Sequence, residues 1–241
     1  MKKENDMKKM TQFSTMNALL VGLYDGFFSV EELKKAGNLG LGCTCGLAGE
    51  LILTADDCYT ATANQKLQIM QNTDLVPFAQ VAQFDPTEQL SLQHLKNKDE
   101  LTAFLLEQAN TKNLFVGFKV ECAFKHIKLR QPPTGLKKPY PPMTEVFKNQ
   151  TEETLNDVKG TLIGFWSPEQ YQGVAVAGLH VHFIDDIKED GGHVLDLELE
   201  QGICEIQCYS NIEMKLPTQK EFLQANLEYD NLDEDIKQAE N

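Results

Sequence analysis

The chain has 241 residues, of which 41% are hydrophobic and 24% are charged, so it can bury the core of one large domain or two smaller lobes. Its 22 basic and 36 acidic residues give a formal net charge of −14, which argues against nucleic acid as a partner. No apolar run approaches the roughly 20 residues that cross a bilayer, and the basic start Met1-Lys2-Lys3 lacks the apolar segment of a signal peptide, so we expect a soluble cytoplasmic protein with no membrane partner.

The N-terminal region is predicted to begin with helices. Residues 12–37 carry hydrophobic side chains at helical spacing, with a break at Asp25-Gly26. A second helix should start at Ser29, because Ser29-x-x-Glu32 matches a capping box. Five glycines follow between Gly37 and Gly49, which indicates backbone that needs positive φ or close packing, and Glu50 comes directly after them.

The rest of the chain is predicted to be mainly strand. One helix is expected, at Lys98–Ala109, where apolar residues recur on one side. Strands are predicted at Leu51–Thr54, Tyr59–Ala63, Leu114–Val120, Ala123–Leu129, Thr161–Trp166, Gly173–Phe183, His193–Glu200 and Gly202–Gln207. This balance favours an α+β protein dominated by sheet.

A proline-rich segment divides the predicted elements into two groups. Five of the nine prolines lie between Gln131 and Met143, so this segment must be an extended, non-helical loop. We take residues 131–143 as the connection between two lobes. Residues 1–130 would form an N-terminal mixed-sheet lobe with the glycine-rich loop, and residues 144–241 a C-terminal lobe that ends in an acidic tail.

The strongest chemical signal is a group of three histidines. His180 and His182 are two residues apart on a predicted strand, so their side chains project from the same face. The Gly191-Gly192 pair allows a tight return that brings His193 beside them on a β-hairpin. Three imidazoles with further coordination positions open are typical of a catalytic metal site. Zinc is the expected ion because imidazole suits it, and manganese and iron stay open.

Other interpretations of these residue types are weaker. The spacing could arise by chance, with each of the three histidines hydrogen-bonded in the core or exposed to solvent. The remaining histidines, His94 and His126, lie in polar surroundings and are interpreted as surface residues. The cysteine pairs Cys43-x-Cys45 and Cys204-x-x-x-Cys208 lack the C-x-x-C spacing of thiolate zinc sites, so we interpret them as small hydrophobic residues that stay reduced.

Six blocks of sequence together form a more specific pattern. They are Gln12–Gly26, Gly40–Gly42, Gly46–Glu50, Lys138–Pro142, Gly160–Trp166 and Gly178–Leu199. With these blocks in this order, the chain resembles the alpha-acetolactate decarboxylase family along nearly its full length. The last block is the most specific, because it joins His-x-His-Phe-Ile-Asp to Gly-Gly-His-Val-Leu-Asp. Cys43 and Ala48 depart from the family pattern, where Thr and Asp are expected.

The resemblance implies a fold and an activity. The expected fold has two related lobes built on mixed β-sheets with flanking helices, and the expected assembly is a homodimer. The expected reaction is the metal-dependent decarboxylation of 2-acetolactate, a small 2-hydroxy-3-oxo acid, to acetoin and carbon dioxide. Zn²⁺ would be held by His180, His182 and His193. No organic cofactor is expected, because the ketone of the substrate accepts the electrons released with carbon dioxide.

The resemblance also implies three catalytic residues. Glu50 matches the family's glutamate after the glycine-rich loop, and Arg130 matches the arginine that enters the proline-rich loop. Glu240 is the best match for a glutamate near the C-terminus, with Glu234 as a rival. Arg130 would orient the substrate carboxylate. Glu50 or Glu240 would then protonate one face of the metal-stabilised enediolate and set the chirality of acetoin.

Two other functions use the same histidines. A zinc hydrolase would use a metal-bound water as its nucleophile at the open coordination positions. A non-catalytic module would bind the ion for stability or sensing. Acetoin formation, ester or amide hydrolysis, and a change in melting temperature without turnover would distinguish the three.

Overall fold

A computed structural model describes residues 8–63, 65–228 and 236. Five α-helices lie in these residues: α1 (Met16–Leu20), α2 (Val30–Ala36), α3 (Lys98–Ala109), α4 (Met143–Val146) and α5 (Lys220–Gln224). The strands are β1 (Lys9–Phe13), β2 (Phe28–Ser29), β3 (Leu39–Cys43), β4 (Glu50–Leu53), β5 (Cys58–Thr62), β6 (Gln65–Ile69), β7 (Leu75–Val76), β8 (Phe78–Ala82), β9 (Leu90–Leu95), β10 (Phe115–Gln131), β11 (Thr151–Ser167), β12 (Gly178–Asp185), β13 (Gly191–Tyr209) and β14 (Asn211–Lys215). None of the described helices is long and apolar enough to cross a membrane.

Two large sheets carry the fold. The first has seven strands in the order β14-β1-β8-β3-β4-β5-β6, and it is mixed because β14 runs parallel to β1. The second has the order β10-β11-β12-β13-β9, with a further pairing of β10 to β13. Because β10 pairs with both β11 and β13, and β12 pairs with the same two strands, these four strands close on themselves.

The hydrophobic core lies between the two sheets and on their outer faces. Between the sheets, Leu41 and Ile52 of the first pack in one buried cluster with Phe165 and Ile184 of the second. Helix α3 covers the other face of the second sheet, where Leu101 and Leu105 are buried. The space between the sheets is thus lined by buried side chains from both of them.

The predicted α+β class is confirmed, and helix α3 has the bounds expected from its spacing. It begins after Asn97, whose side chain accepts a hydrogen bond from the Glu100 N–H, and it ends at Asn110 in the left-handed conformation. The capping box at Ser29 is also present and starts α2. At these positions the local sequence was sufficient to predict where the helices begin and end.

The helix expected across residues 12–37 is wrong in its first part. Gln12 and Phe13 complete β1, which pairs with β8 on one side and β14 on the other. Only five residues, Met16–Leu20, form the following helix, with Thr15 as its N-cap. For Gln12 and Phe13, backbone pairing in the sheet outweighs the helix predicted for this region.

The long strands differ from the shorter ones that were expected. β10 runs without a break through the predicted gap at residues 121–122, and β13 runs through residue 201. Irregularities in their pairing near Ala123 let the two strands stay together while they bend. The expected strand at Gly173–Phe183 begins only at Gly178.

The two sheets divide the chain differently from the two predicted lobes. β9 and β10 precede the proline-rich segment, yet both belong to the second sheet, while β14 follows that segment and joins the first. Residues 131–143 therefore do not separate the sheets. The cause is β10, which pairs along its whole length with strands from the second half of the chain.

Candidate metal centre

The three histidines come together on the hairpin of β12 and β13. His182 is the register partner of His193, and His180 lies two residues earlier on the same face of β12. The ring centroids are 5.1 Å apart for His180 and His182, 5.1 Å for His180 and His193, and 5.5 Å for His182 and His193. One donor nitrogen from each ring lies within 4.8 Å of the other two. All three side chains are buried in the space between the sheets.

The close approach of β13 to β10 beside His193 depends on glycine. A Cβ atom at Gly192 would stand 2.8 Å from the carbonyl oxygen of Arg130 on β10. Gln131, the last residue of β10, donates a hydrogen bond from Nε2 to the Gly191 carbonyl oxygen at 2.8 Å. The start of β13 is thus held tightly against β10, which fixes the position of His193.

The first sheet sets the protonation of His182. Nδ1 of His182 lies 2.9 Å from the carbonyl oxygen of Leu51, the second residue of β4. Because a carbonyl only accepts, Nδ1 carries the ring proton and Nε2 keeps its lone pair. Nε2 is buried and makes no hydrogen bond with any residue that the structure describes. A backbone carbonyl behind the ring and a bare nitrogen in front are typical of a metal-ligating histidine.

Burial keeps all three imidazoles neutral. It lowers the pKa of His182 to about 3, with a smaller contribution in the same direction from the Arg130 cation. It also holds the pKa of His180 and His193 well below the ordinary 6.5, and Arg130 and the neighbouring rings add to this effect. Neutral imidazole is the form that binds a metal ion, so the donor set fits a divalent cation.

Glu50 brings a carboxyl group to the histidines. It is the first residue of β4, is 5% exposed, and places Oε2 3.4 Å from Nε2 of His182. Since the ring proton is on Nδ1, the Nε2 atom of His182 carries a lone pair. An ionised Glu50 carboxylate would point its own lone pairs at this lone pair, and the two would repel each other. A proton on the carboxyl group, or a cation between the two atoms, removes this repulsion.

Arg130 enters the same space from the end of β10. It is the register partner of His193 and only 2% exposed. The central carbon of its guanidinium group lies 4.1 Å from the ring centroid of Phe147, so the aromatic face holds the guanidinium plane. Burial and this ring contact therefore restrict the side chain before any ligand binds.

One cavity joins these groups. Glu50, Arg130 and His180 line it, and the space free of atoms is about 300 Å³, including open solvent at its mouth. The remainder of the wall is mostly apolar: Met16, Leu19, Gly42, Cys43, Leu47, Phe78, Met143 and Phe147. The site is thus a small pocket whose wall holds one cation, one carboxyl group and the His180 imidazole among mostly apolar side chains, with His182 and His193 next to His180.

The remaining predicted residues have different positions. Glu240 and Glu234 lie outside the described residues. His94 is exposed and His126 partly exposed, as expected. Cys43 lines the cavity while Cys204 lies in the core of the second sheet, and within the described ranges the three histidines are the one His, Cys, Asp or Glu group that could hold a metal ion. The four-thiolate alternative is therefore not formed by the described cysteines.

Sequence reasoning missed several parts of the site. The Leu51 carbonyl and the Phe147 ring gave no signal, because neither residue type marks a function by itself. Leu19 was interpreted as part of the apolar stripe of a helix, although it lines the cavity together with Met16. Their place in the block Gln12–Gly26 was the available hint.

Fold and site together define an α+β protein with a buried tri-histidine centre at the junction of two sheets. Comparison with known proteins gives the family. The alpha-acetolactate decarboxylase profile matches residues 10–229, and the chain belongs to this family.

Individual relatives agree over most of their length. The alpha-acetolactate decarboxylase of Methylococcus capsulatus is 38% identical over 230 residues, which cover 95% of this chain and 88% of that one. The enzyme of the same name from Brevibacillus brevis is 36% identical over 216 residues, covering 90% and 75%. The crystal structure of alpha-acetolactate decarboxylase from Bacillus subtilis strain 168 superposes with a TM-score of 0.92 at 33% identity, covering 96% of this chain and 99% of that one.

Proposed function

We propose that this chain is an acetolactate decarboxylase, a carboxy-lyase that converts 2-acetolactate to acetoin and carbon dioxide. Family membership supports the substrate and the reaction. The observation that carries the proposal is the single cavity lined by Glu50, Arg130 and His180, with His182 and His193 against His180. These are the groups that a decarboxylation through an enediolate needs.

His180, His182 and His193 would hold a divalent ion, and Zn²⁺ is the expected one. A bound ion supplies a Lewis acid that stabilises negative charge on the oxygen atoms of the substrate. Because the three imidazoles are neutral, they would not reduce the net positive charge of a bound ion. The proton of His182 stays on the side of Leu51, so it does not compete for the metal-facing nitrogen.

The reaction breaks the bond between the carboxylate carbon and the carbon that bears the hydroxyl group. The electron pair moves toward the adjacent ketone, carbon dioxide leaves, and an enediolate remains. Arg130 would orient the carboxylate, because its guanidinium group lies over the Phe147 ring in the wall of the cavity and can donate two parallel hydrogen bonds. Too tight a grip on the departing group would stabilise the ground state, so Arg130 also serves the enediolate that forms.

Glu50 would then add a proton to one face of the enediolate carbon, which makes acetoin of one handedness. Its carboxyl group faces the histidines from the first sheet, opposite the strand that carries His180 and His182. A C-terminal glutamate, Glu240 or its rival Glu234, is the second candidate for this step. The apolar wall keeps water from competing for the same carbon.

A direct test uses purified protein, with metal content and acetoin formation measured on the same preparation. We expect about one divalent ion per chain and a rate well above the spontaneous decarboxylation of racemic acetolactate. Removal of the ion by a chelator should abolish the acceleration, and Zn²⁺ should restore it. A protein that binds the ion without accelerating acetolactate loss would reject the proposal. Hydrolysis of esters or amides would then favour the hydrolase, and a lower melting temperature after chelation alone would favour the binding module.

Three further features stay predictions. The chain is expected to contain two related lobes, the protein to form a homodimer, and its location to be the cytoplasm. Light scattering after size-exclusion chromatography would test the dimer, which should show twice the mass of the chain at micromolar concentration.

A further inference from the structure

Asp185 closes the turn that joins the two strands of the metal centre. It is the last residue of β12 and is only 3% exposed. Its Oδ1 atom accepts hydrogen bonds from the backbone N–H groups of Glu189 at 2.8 Å and Asp190 at 3.0 Å. The N–H of Asp185 in turn donates to the carbonyl oxygen of Asp190 at 3.0 Å. One buried carboxylate oxygen thus holds the returning end of the turn against its starting end.

Hydrophobic packing does not hold the tip of this turn. Ile187 at the tip is 74% exposed. Lys188 has a φ of 59°, in the left-handed region that residues with a side chain adopt at a cost. The one printed support from the first sheet is a hydrogen bond at 3.0 Å, which the N–H of Leu67 donates to the Glu189 carbonyl oxygen. The shape of the turn therefore depends mainly on the hydrogen bonds to Asp185.

The turn matters because metal ligands lie on both sides of it. Among the described residues, β12 and β13 share three register pairs, which are His182 with His193, Phe183 with Gly192 and Ile184 with Gly191. Beyond these pairs, β12 is held by β11, and β13 is held by β10. The distance from His193 to His180 and His182 thus depends on a short pairing and on the turn. A metal ion holds each imidazole nitrogen at about 2.0–2.1 Å, so a shift of more than about 0.2 Å weakens its binding.

We infer that Asp185 is a positioning residue that sets the affinity of the three histidines for their divalent ion, because it fixes the turn that brings His193 to His180 and His182. The inference rests on the metal site of the proposed function and does not depend on the substrate. Asp185 acts through the backbone of the turn, since its Oδ1 atom is shared by two N–H groups. This gives a role to the aspartate of the block His-x-His-Phe-Ile-Asp.

The first test measures metal affinity without activity, as the Kd for Zn²⁺ in competition with a chromophoric chelator. Asp185→Ala removes the shared acceptor and should raise the Kd about tenfold or more, as is found for residues that support metal ligands. Asp185→Asn keeps an oxygen acceptor in the same place and should stay within about threefold of wild type. Asp186→Ala removes the same charge at the next, exposed position and is the matched control. A wild-type Kd in Asp185→Ala, or an equal rise in Asp186→Ala, would overturn the inference.

The second test uses the wild-type protein, so it applies even if Asp185→Ala does not fold. Coupling between two sites is reciprocal, and Zn²⁺ should therefore tighten the turn that supports its ligands. Amide hydrogen exchange at Glu189 and Asp190 should slow at least about fivefold when Zn²⁺ is added. The N–H of Asp57, which the Thr54 hydroxyl oxygen holds in the turn between β4 and β5, is the control and should change less than twofold. Equal effects at the two turns would overturn the inference.

The third test separates metal affinity from chemistry. At saturating Zn²⁺, acetoin formation by Asp185→Ala should recover to within about threefold of wild type, because the reacting groups are unchanged. Activity that stays low with a full complement of metal would show that Asp185 acts on more than affinity, and would overturn the inference. A wild type that binds Zn²⁺ but forms no acetoin would reject the proposed function, and the Kd values would still decide the role of Asp185.

Discussion

The substitution Glu50→Gln separates the chemistry of the carboxyl group from its shape. Glutamine has the same outline but carries no acidic proton, so it can fill the position on β4 without delivering a proton to the substrate. A positioned general acid contributes about 10² to 10⁴ in rate, and we expect kcat to fall by ~10² or more. The metal content should stay near that of wild type, because the three histidines are untouched. Glu200→Gln, which changes an exposed residue of β13, is the matched control and should keep full activity.

The same variant makes a second, independent prediction for the metal-free protein. Oε2 of Glu50 lies 3.4 Å from the lone pair on Nε2 of His182. An amide N–H in that place would donate a hydrogen bond to Nε2 worth about 1 kcal/mol where an ionised carboxylate could only face it with another acceptor. For a chain of this size, that corresponds to a rise of about 2–4 °C in the Tm of the metal-free protein. Calorimetry after chelation measures it. Unchanged turnover with a full complement of metal would remove Glu50 from the mechanism, and an unchanged Tm would refute the repulsion between the two atoms.

Three further changes test the histidines and the arginine. His182→Ala should lose metal and activity together, with a metal content below about a tenth of wild type, because only two ligands remain. The control His94→Ala, at an exposed position, should lose neither. Metal retained by His182→Ala would contradict the site. Arg130→Lys should keep the metal but lower kcat/KM by ~10², since an ammonium group cannot replace the planar guanidinium group over the Phe147 ring. Turnover at the wild-type rate would exclude Arg130 from a direct role. Acid should destabilise the metal-free protein. His182 stays neutral in the folded state down to a pKa of about 3 but takes up a proton below about 6.5 when unfolded, so the free energy of unfolding should fall by about 2 kcal/mol from this residue alone between pH 7 and pH 5. Metal-free His182→Ala should lack that part of the slope in denaturant titrations, and an identical slope would refute the assignment.

The parts of the site that could be predicted from sequence are local. His180, His182 and His193 span fourteen residues, and the two-residue period of a strand followed by a hairpin return was enough to place them together, although the return lies at residues 186–190 and Gly191 and Gly192 already belong to β13. The contact that orients His182 crosses 131 residues of sequence to a backbone carbonyl, which no side-chain pattern reports. Glu50 and Arg130 could be named only through the family resemblance, because a lone glutamate after glycine and a lone arginine before a loop are common at surfaces.

The same contrast explains the errors in the fold. Helix α3 carries its own start signal at Asn97 and its own stop signal at Asn110, so its bounds follow from the sequence. Gln12 and Phe13 carry helical spacing as well, yet they pair in a sheet with residues about 70 and 200 positions away. The proline-rich segment was a sound sign of irregular backbone; it lies in the connection between β10 and β11, which pair with each other from Gln131 and Thr151 onward.

The construction of the site from both sheets links metal binding to their packing. The second sheet supplies the three imidazoles, and the first supplies the carbonyl of Leu51 and the carboxyl group of Glu50, which are adjacent in β4. The next residue, Ile52, packs between the sheets, and a Cβ atom at Gly191 would stand 3.2 Å from its Cδ1, beside the hairpin turn that leads to His193. A shift of β4 would therefore move the partner of His182, the carboxyl group and the support of the hairpin together. The imidazole ring of His182, on the second sheet, is oriented by a backbone carbonyl of the first sheet. The positions of the donor nitrogens therefore depend on the hydrophobic core between the two sheets.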